Sequence, residues 1–299
     1  MKWEGRRRSS NVEDRRGQRV GGSGGGFSPM LIGPLLRLLF SKTGLIIVGI
    51  IIAISVVTGT NPLTFLGNFM GGGGSQGFTT ETNYTPSAEE DRLAAFSEVI
   101  LADTEDVWNQ LLDNYREPTL VLFSGQVSSA CGMASSATGP FYCPGDEKLY
   151  IDLSFFKEME VKLNAPGDFA QAYVIAHEVG HHIQKISGIT AEMDKIRGQV
   201  SEKEYNQFSV KLELQADFLA GVWANHSQKS AGWMEKGDLA EALNAANAIG
   251  DDRLQKQATG RVTPDSFTHG TSAQRMKWFK KGFETGDINQ GDTFNTNSL

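Results

Sequence analysis

The sequence of 299 residues is poor in cysteine and histidine, with two and five of them. Neither Cys131 nor Cys143 has a CxxC partner, which disfavours zinc ligation by thiolates. The two cysteines bracket a Gly/Ser/Pro loop between strand-like runs. We therefore expect a disulfide between them in an oxidising compartment, with two buried free thiols as the alternative.

Positive charge is scarce over most of the chain. The net charge is -7, yet residues 1–42 carry nine Lys or Arg against three Asp or Glu, so the remainder is strongly acidic. A nucleic-acid-binding face needs clustered cations on the folded part, so nucleic acid is not expected as a partner. Hydrophobic residues make up 39% of the sequence, which is enough for a real core.

Residues 43–62 lack charge altogether and have about the length that a helix needs to cross a bilayer. We expect one transmembrane helix here; a cleaved signal peptide or a buried helix is the alternative. Basic residues precede it, which predicts a cell-membrane protein with a cytoplasmic N-terminus and an exported C-terminal domain. The predicted order is a basic cytoplasmic tail (1–42), the transmembrane helix (43–62), a Gly/Ser-rich linker (63–88) and a globular domain (89–299).

The globular part combines few strands with many helices. A surface-packed helix, or a pair of helices, is expected after Ala88, and strand-like runs follow at 118–125 and 148–156. Helical patterns then cover about 167–185, 201–227 and 236–249 and a last segment from 271. Capping boxes at Ser201 and at Thr271 mark two of the starts. Early strands followed by helices indicate an α+β domain, mainly helical with a small sheet.

Three of the five histidines lie in "YVIAHEVGHHIQ", residues 173–184. On a helix, His177 and His181 lie on one face and can hold one zinc ion through two imidazole nitrogens. Glu178 lies near the same edge, where it can reach a water on the metal and act as general base in peptide hydrolysis. His182 points elsewhere and is not expected to take part directly.

An HExxH motif also arises by chance, so the residues around it must show whether it belongs to a metal site. The alternative is an ordinary packed helix, but buried His and Glu side chains without a metal would be costly to satisfy. Gly180 leaves room for the close approach of another backbone. The metzincin pattern is excluded, because Gln184 and Ser187 stand where it requires Gly and His.

The missing third ligand is predicted in "ELQAD". Glu213 would ligate the zinc, and Asp217, one turn later, would accept the second ring proton of a ligand histidine. The alternative is a pair of ordinary carboxylates on a solvated helix face, with His226 and His269 as rival ligands. His269 lies at a helix entrance, where it would either polarise the substrate carbonyl or cap the helix. "KLYIDLSFF" (148–156) is either a core strand or an edge strand that binds the substrate backbone.

These motifs, together with "MKWEGRRRSSNVEDRRG", "HGTSAQRMKWF" and "GDINQGDTF", resemble the bacterial neutral zinc metallopeptidases of the YpfJ type, a family of membrane-anchored HExxH proteins. The resemblance covers nearly the whole chain. It implies a zincin-like, gluzincin-type domain with His177, His181 and Glu213 as zinc ligands and Glu178 as base.

The chain departs from this family at two positions, 218 and 291, where members often carry cysteine. Phe218 and Gly291 stand there instead. The resemblance therefore implies that a second disulfide is absent and that the C-terminal tail is held less firmly.

Two functions are consistent with these features. One is a membrane-anchored zinc endopeptidase that acts on protein or peptide substrates near the membrane. The other is a non-catalytic, zinc-stabilised envelope protein that acts by binding partners. A structural zinc site has four protein ligands, and the sequence offers no clear fourth one near the motif, which favours the enzyme.

Overall fold

The computed structural model of the protein describes residues 1–20, 79–81, 84–296 and 299. The strands in these residues are β1 (Val12–Arg15), β2 (Gln18–Val20), β3 (Thr79–Glu81), β4 (Thr119–Phe123), β5 (Gln126–Ser129), β6 (Gly132–Ser135), β7 (Phe141–Cys143) and β8 (Lys148–Asp152). The α-helices are α1 (Ala88–Leu111), α2 (Ser154–Lys162), α3 (Asp168–Ile186), α4 (Ile189–Ile196), α5 (Glu202–Ala231), α6 (Asp238–Ala248), α7 (Asp251–Thr259) and α8 (Ser272–Thr285). The predicted α+β architecture, mainly helical with a small sheet, is confirmed.

The main sheet has four strands in the order β1-β4-β8-β7. Strands β1, β4 and β8 run parallel, and β7 runs antiparallel to β8. The two inner strands are apolar and buried along nearly their whole length, as expected for strands covered on both faces. Two smaller two-stranded sheets pair β2 with β3 and β5 with β6.

Helices α3, α5, α6 and α8 form most of the core. The predicted capping boxes at the starts of α5 and α8 are both present: Ser201 pairs with Glu204, and Thr271 pairs with Gln274. The caps satisfy backbone donors that would otherwise lack partners at the helix ends. They also fix where each helix begins, and hence which side chains face the site.

The strand predicted over 148–156 is too long. Strand β8 ends at Asp152 and helix α2 begins at Ser154. The backbone N–H of Ser154 donates to Asp152 Oδ1 at 3.0 Å, which closes a turn between the two elements. The apolar residues after Asp152 therefore belong to a helix. Strand β8 also lies inside the sheet, between β4 and β7, so it is a core strand and has no edge to offer a substrate.

Residues 1–19 differ from the predicted separate tail, because they form one compact unit with residues 81–299. Strand β1 extends the main sheet, and Trp3 is buried with its ring 5.4 Å from that of Phe96 on α1. Helix α1 is consequently a single helix buried on more than one side, and not the expected surface helix. A basic segment folds here because its cations meet carboxylates of the domain.

The predicted transmembrane helix (43–62) and most of the predicted linker (63–88) lie outside the described residues. Within the described residues, no helix combines the length and the apolar character needed to span a bilayer.

The predicted disulfide between Cys131 and Cys143 is present. It joins the turn between β5 and β6 to the end of β7. The hairpin is thereby tied to the strand that borders the candidate site described below.

The two positions where family cysteines were expected lie against each other. A side-chain carbon added at Gly291 would lie 2.5 Å from Phe218 Cδ1. The tail is also bonded to α5, since Gln215 Nε2 donates to Gly291 O at 3.0 Å and Thr293 Oγ1 donates to Lys211 O at 2.6 Å. Packing and hydrogen bonds thus hold the tail without a second disulfide.

Helices α5 and α8 cross in close backbone contact at two glycines. A side-chain carbon at Gly221 would lie 2.1 Å from Phe279 O, and one at Gly282 would lie 2.0 Å from Phe218 O. The two backbones can approach this closely because each helix has a glycine, without a side chain, at the point of contact. The crossing fixes α8 beside the carboxylates of α5.

We predict that Gly282→Ala separates α8 from α5 and lowers the free energy of unfolding by about 3 kcal/mol, since the added carbon meets backbone that cannot move aside. Chemical denaturation measures this loss. The control is Lys280→Ala on the exposed side of the same helix, which should change stability by less than about 0.5 kcal/mol. Equal stability of the two variants would contradict the close crossing.

Candidate metal centre

Helices α3 and α5 bring three potential metal ligands together. His177 and His181 come from α3 and Glu213 from α5, and their donor atoms all lie within 4.8 Å of one another. The close approach depends on Gly180, because a side-chain carbon there would lie 3.0 Å from Ala216 O on α5. The small residues that the sequence offers on both helices thus allow the ligands to meet.

The spacing of the donor atoms suits a tetrahedral ion. Glu213 Oε2 lies 3.2 Å from His177 Nε2, and Glu213 Oε1 lies 3.5 Å from His181 Nε2. Two ligand atoms of a tetrahedral zinc site are about 3.3 Å apart when each bond is about 2.0–2.1 Å. Two imidazoles and one carboxylate are also a donor set that zinc accepts. The three residues therefore fit a zinc ion.

Hydrogen bonds on the far side of each ring support a cation at this point. His177 Nδ1 donates to Asp217 Oδ1 at 2.9 Å, and His181 Nδ1 donates to Gln184 Oε1 at 2.9 Å. A neutral imidazole with its proton on Nδ1 has a lone pair on Nε2. Both lone pairs then face the carboxylate of Glu213. Only a cation between them, either a metal ion or added protons, makes this arrangement favourable.

The ionisation of these groups shows the same demand for positive charge. Burial disfavours the charged ring of His177, but Asp217 and Glu213 outweigh burial and raise its pKa to about 10. Burial also disfavours the charged ring of His181, but the carboxylate of Glu213 outweighs burial and raises the pKa of His181. The pKa of Glu213 is held well below its usual value by the two histidines despite burial. Such perturbed groups in a cleft are typical of functional sites.

Asp217 is the centre of a buried network behind the metal ligands. Its carboxylate accepts two hydrogen bonds from Arg275 on α8, at 2.8 and 2.9 Å, besides the one from His177. Tyr173 donates to it at 2.5 Å. Both Asp217 and Arg275 are almost fully buried. Burial opposes the charge of Asp217, but Arg275 and His177 lower its pKa, so the carboxylate stays ionised and orients His177.

Gln184 gives His181 a comparable support. Besides accepting from His181, it donates from Nε2 to Leu212 O on α5 at 2.7 Å. The residue that excluded the metzincin pattern thus fixes the ring orientation of a ligand histidine and ties α3 to α5.

Glu178 and His269 line the same cavity of about 460 Å³ as the three ligands. His269 Nδ1 donates to Asp251 Oδ1 at 3.2 Å, and the backbone N–H of His269 donates to Asp251 Oδ2 at 2.6 Å. The hydrogen bond that His269 donates to Asp251 raises the pKa of His269, although burial opposes this shift. The imidazole is half-exposed, with 49% of its surface accessible. His269 is therefore an imidazole at the cavity that Asp251 holds in place and whose protonated form Asp251 favours.

The other two histidines lie away from the ligands and are satisfied by hydrogen bonds. His182 donates from Nε2 to Arg116 O at 2.5 Å and accepts from the hydroxyl of Tyr142 at 3.0 Å. His226 donates from Nε2 to Gly286 O at 2.8 Å. Neither His226 nor His269 joins the group of potential metal ligands within the described residues.

Strand β7 borders the cavity at the edge of the main sheet. Phe141 and Tyr142 line the cavity, and Pro140 and Pro144 flank the strand. Proline is common beside edge strands because it cannot donate to a ladder. The backbone edge near the site therefore belongs to β7 and not to "KLYIDLSFF".

The comparisons with known proteins identify the family of the chain. A family model described as "Putative neutral zinc metallopeptidase" matches residues 1–294. The chain belongs to this family. No solved structure matches the chain.

Two bacterial relatives show how far the similarity extends. "Uncharacterized protein YpfJ" of Escherichia coli (strain K12) is 50% identical over 298 residues, which are 98% of this chain and 99% of the relative. "Uncharacterized protein Rv2575" of Mycobacterium tuberculosis (strain ATCC 25618 / H37Rv) is 45% identical over 203 residues, which are 64% of this chain and 68% of the relative.

Sequence reasoning did not find Tyr173, Asp251 or Arg275. Arg275 stands in "RMKWF", where a cation beside apolar residues on a predicted helix was a signal of burial. Its partner Asp217 is 58 residues away, so the pair could not be recognised from local spacing.

We predict that Arg275→Met lowers the free energy of unfolding by about 3–5 kcal/mol, because it leaves the buried carboxylate of Asp217 without its cation. It should also weaken zinc binding, since His177 loses its oriented partner. Denaturant unfolding and zinc titration of the purified protein measure both effects.

Arg275→Lys is the matched control, because it keeps the charge but not both hydrogen bonds, and it should fall between wild type and Arg275→Met. If Arg275→Met retained wild-type stability and zinc affinity, the network would not have the role described.

Proposed function

We propose that the protein is a zinc-dependent metallopeptidase with a zincin-like, gluzincin-type site, in which His177, His181 and Glu213 hold zinc and Glu178 is the general base. One observation carries the proposal. Three potential ligand residues, with donor atoms within 4.8 Å of one another, line a cavity that Glu178 and His269 also line. This arrangement leaves room for a substrate beside the ion.

The number of ligands favours catalysis over a structural zinc. Within the described residues, the group of potential ligands has three members. Asp217, the nearest further carboxylate on α5, is engaged by Arg275, Tyr173 and His177. Catalytic zinc sites have three protein ligands and one open position, whereas structural sites have four protein ligands. The alternative of a zinc-stabilised binding protein is therefore less well supported.

Zinc, when bound, would polarise the scissile carbonyl and favour ionisation of water at neutral pH. Glu178 is adjacent to His177 on the rigid helix α3 and is 8% exposed. It would take the proton of the attacking water and pass it to the leaving amine as the peptide bond breaks. A carboxylate on a well-packed helix is held at a fixed distance from the ligand histidines, as such proton transfer requires.

His269 would act on the substrate oxygen. Its raised pKa favours the protonated ring, with Nδ1 directed to Asp251. The other ring nitrogen can then donate a hydrogen bond to an oxygen that gains negative charge in the transition state. His269 would make this contribution without being a ligand of the metal.

The substrate would be an extended peptide. Strand β7 offers a backbone edge beside the cavity, and a peptide could add to it as a further strand. Aromatic and aliphatic side chains on the cavity wall, including Phe141, Phe155 and Val174, would accept apolar side chains of the peptide.

We predict that Glu178→Gln keeps bound zinc but lowers peptide hydrolysis by about 10²- to 10⁴-fold, because the amide cannot accept the proton. The matched variant Glu213→Ala should lose the metal itself. Zinc content by elemental analysis and cleavage of an unstructured protein such as casein distinguish the two.

The proposal fails if the wild-type protein binds zinc and its hydrolysis equals that of Glu178→Gln across a panel of peptides. Unchanged zinc content in Glu213→Ala would place the third ligand elsewhere.

We predict that His269→Gln lowers kcat/KM by about 10²-fold while leaving zinc content unchanged. Because the pKa of His269 is raised, its charge extends to higher pH than that of an ordinary imidazole and is lost as pH rises through that pKa. The alkaline decline of wild-type activity should therefore flatten in the variant. The control is His226→Gln, because His226 lies away from the cavity and is hydrogen-bonded to Gly286 O. This variant should keep the wild-type pH profile.

A further inference from the structure

Residues 1–19 are built into the domain that carries the metal centre. Strand β1 pairs in parallel with β4, with Val12 opposite Leu120 and Arg15 opposite Phe123. The ladder begins at Asn11, whose carbonyl accepts from Leu120 N at 2.9 Å. Without β1, the apolar strand β4 would be an exposed edge, which is a liability for aggregation.

The same segment covers the outer face of α1. Trp3 is 7% exposed and packs edge-on against Phe96. Ser9 N donates to Glu98 O at 3.0 Å, and Arg7 donates to Glu105, which is 2% exposed, at 2.9 Å. A carboxylate buried to this extent needs its partners. The segment is therefore part of the domain core.

Three of the basic residues that indicated a cytoplasmic tail have partners inside this fold. Arg7 pairs with Glu105 and Asp106, Arg8 with Glu98 at 3.6 Å, and Arg16 with Asp14 and Asp91 at 2.7 and 3.2 Å. The carboxylates of α1 thus account for much of the positive charge in the segment. Pairing within the fold thus explains part of the charge asymmetry of the sequence. The asymmetry is therefore weaker evidence for the orientation of the chain in a membrane.

We propose that residues 1–19 and the candidate metal centre lie in the same compartment, because they belong to one folded unit. A single crossing would place β1 and β4 on opposite sides of the bilayer, where they could not pair. The disulfide between Cys131 and Cys143 favours an oxidising compartment for both parts. This topology replaces the single-pass arrangement expected from the charges.

Labelling of single introduced cysteines in whole cells tests the topology. Ser10→Cys reports on the N-terminal segment and Val161→Cys on the domain; both positions are exposed. The full-length variants are expressed separately, and spheroplasts are treated with a membrane-impermeant maleimide before and after lysis. Wild type is the control, because its two cysteines are joined in the disulfide.

The expected result is that the two variants react alike in intact spheroplasts, both labelled or both protected, and that both react after lysis. Labelling of both variants in intact spheroplasts agrees with an oxidising compartment. Protection of both would overturn the oxidising compartment but would still support a common compartment for the two positions. Labelling of one variant and protection of the other overturns the proposal.

Stability of the purified full-length protein tests the docking itself. Trp3→Ala should lower the thermal midpoint by about 10 °C, because it removes a large buried side chain. Lys2→Ala, at an exposed neighbouring position, is the control and should leave the midpoint within about 2 °C. An unchanged midpoint in Trp3→Ala overturns the docking; failure of this variant to fold supports it, since a residue outside the domain would not be required for folding.

A charge exchange gives a second measure of docking. Arg7→Glu should lower the midpoint, and the additional change Glu105→Arg should restore part of the loss if the two side chains meet. No restoration would contradict the contact. Neither labelling nor stability depends on peptidase activity, so these results are separate from the test of the proposed function.

Discussion

The ion pair between Arg275 and Asp217 is the interaction on which the geometry of the candidate metal centre depends. Burying two charges is costly unless geometry is good and the remaining hydrogen-bonding capacity is used. Here two hydrogen bonds join the pair, and Tyr173 and His177 complete the shell of the carboxylate. Helices α3, α5 and α8 therefore meet at one carboxylate. Its position fixes the ring of His177, and with it the direction of the nitrogen that faces the metal.

Small residues make this convergence possible. Gly180 admits α5 against α3, and Gly221 and Gly282 admit α8 against α5. Once the helices are this close, the spacing of "ELQAD" decides the chemistry. Glu213 and Asp217 are one turn apart on the same face, so the carboxylate of Glu213 reaches the Nε2 atoms of His177 and His181 while that of Asp217 reaches Nδ1 of His177. The ligand set and the support for its orientation thus follow from one helix crossing.

The parts of the site that sequence reasoning could predict are local in the chain. The four-residue spacing of His177 and His181, and that of Glu213 and Asp217, follows from helix periodicity alone. The same holds for the capping boxes. Arg275 and the strand β1 could not be found in this way, because each acquires its role from a partner far away in sequence. A basic segment indicates a tail as long as the carboxylates of α1 that pair with it are unknown.

Strand β1 also bears on how a substrate could approach. A sheet of four strands has two edges, and an edge accepts any extended chain that reaches it. The N-terminal segment occupies the edge of β4, far along the sheet from the metal ligands, and leaves β7 as the other edge. Strand β7 packs against α3 and borders the cavity. Of the two edge strands of the sheet, β1 and β7, it is β7 that borders the cavity lined by Glu178 and the three potential ligands.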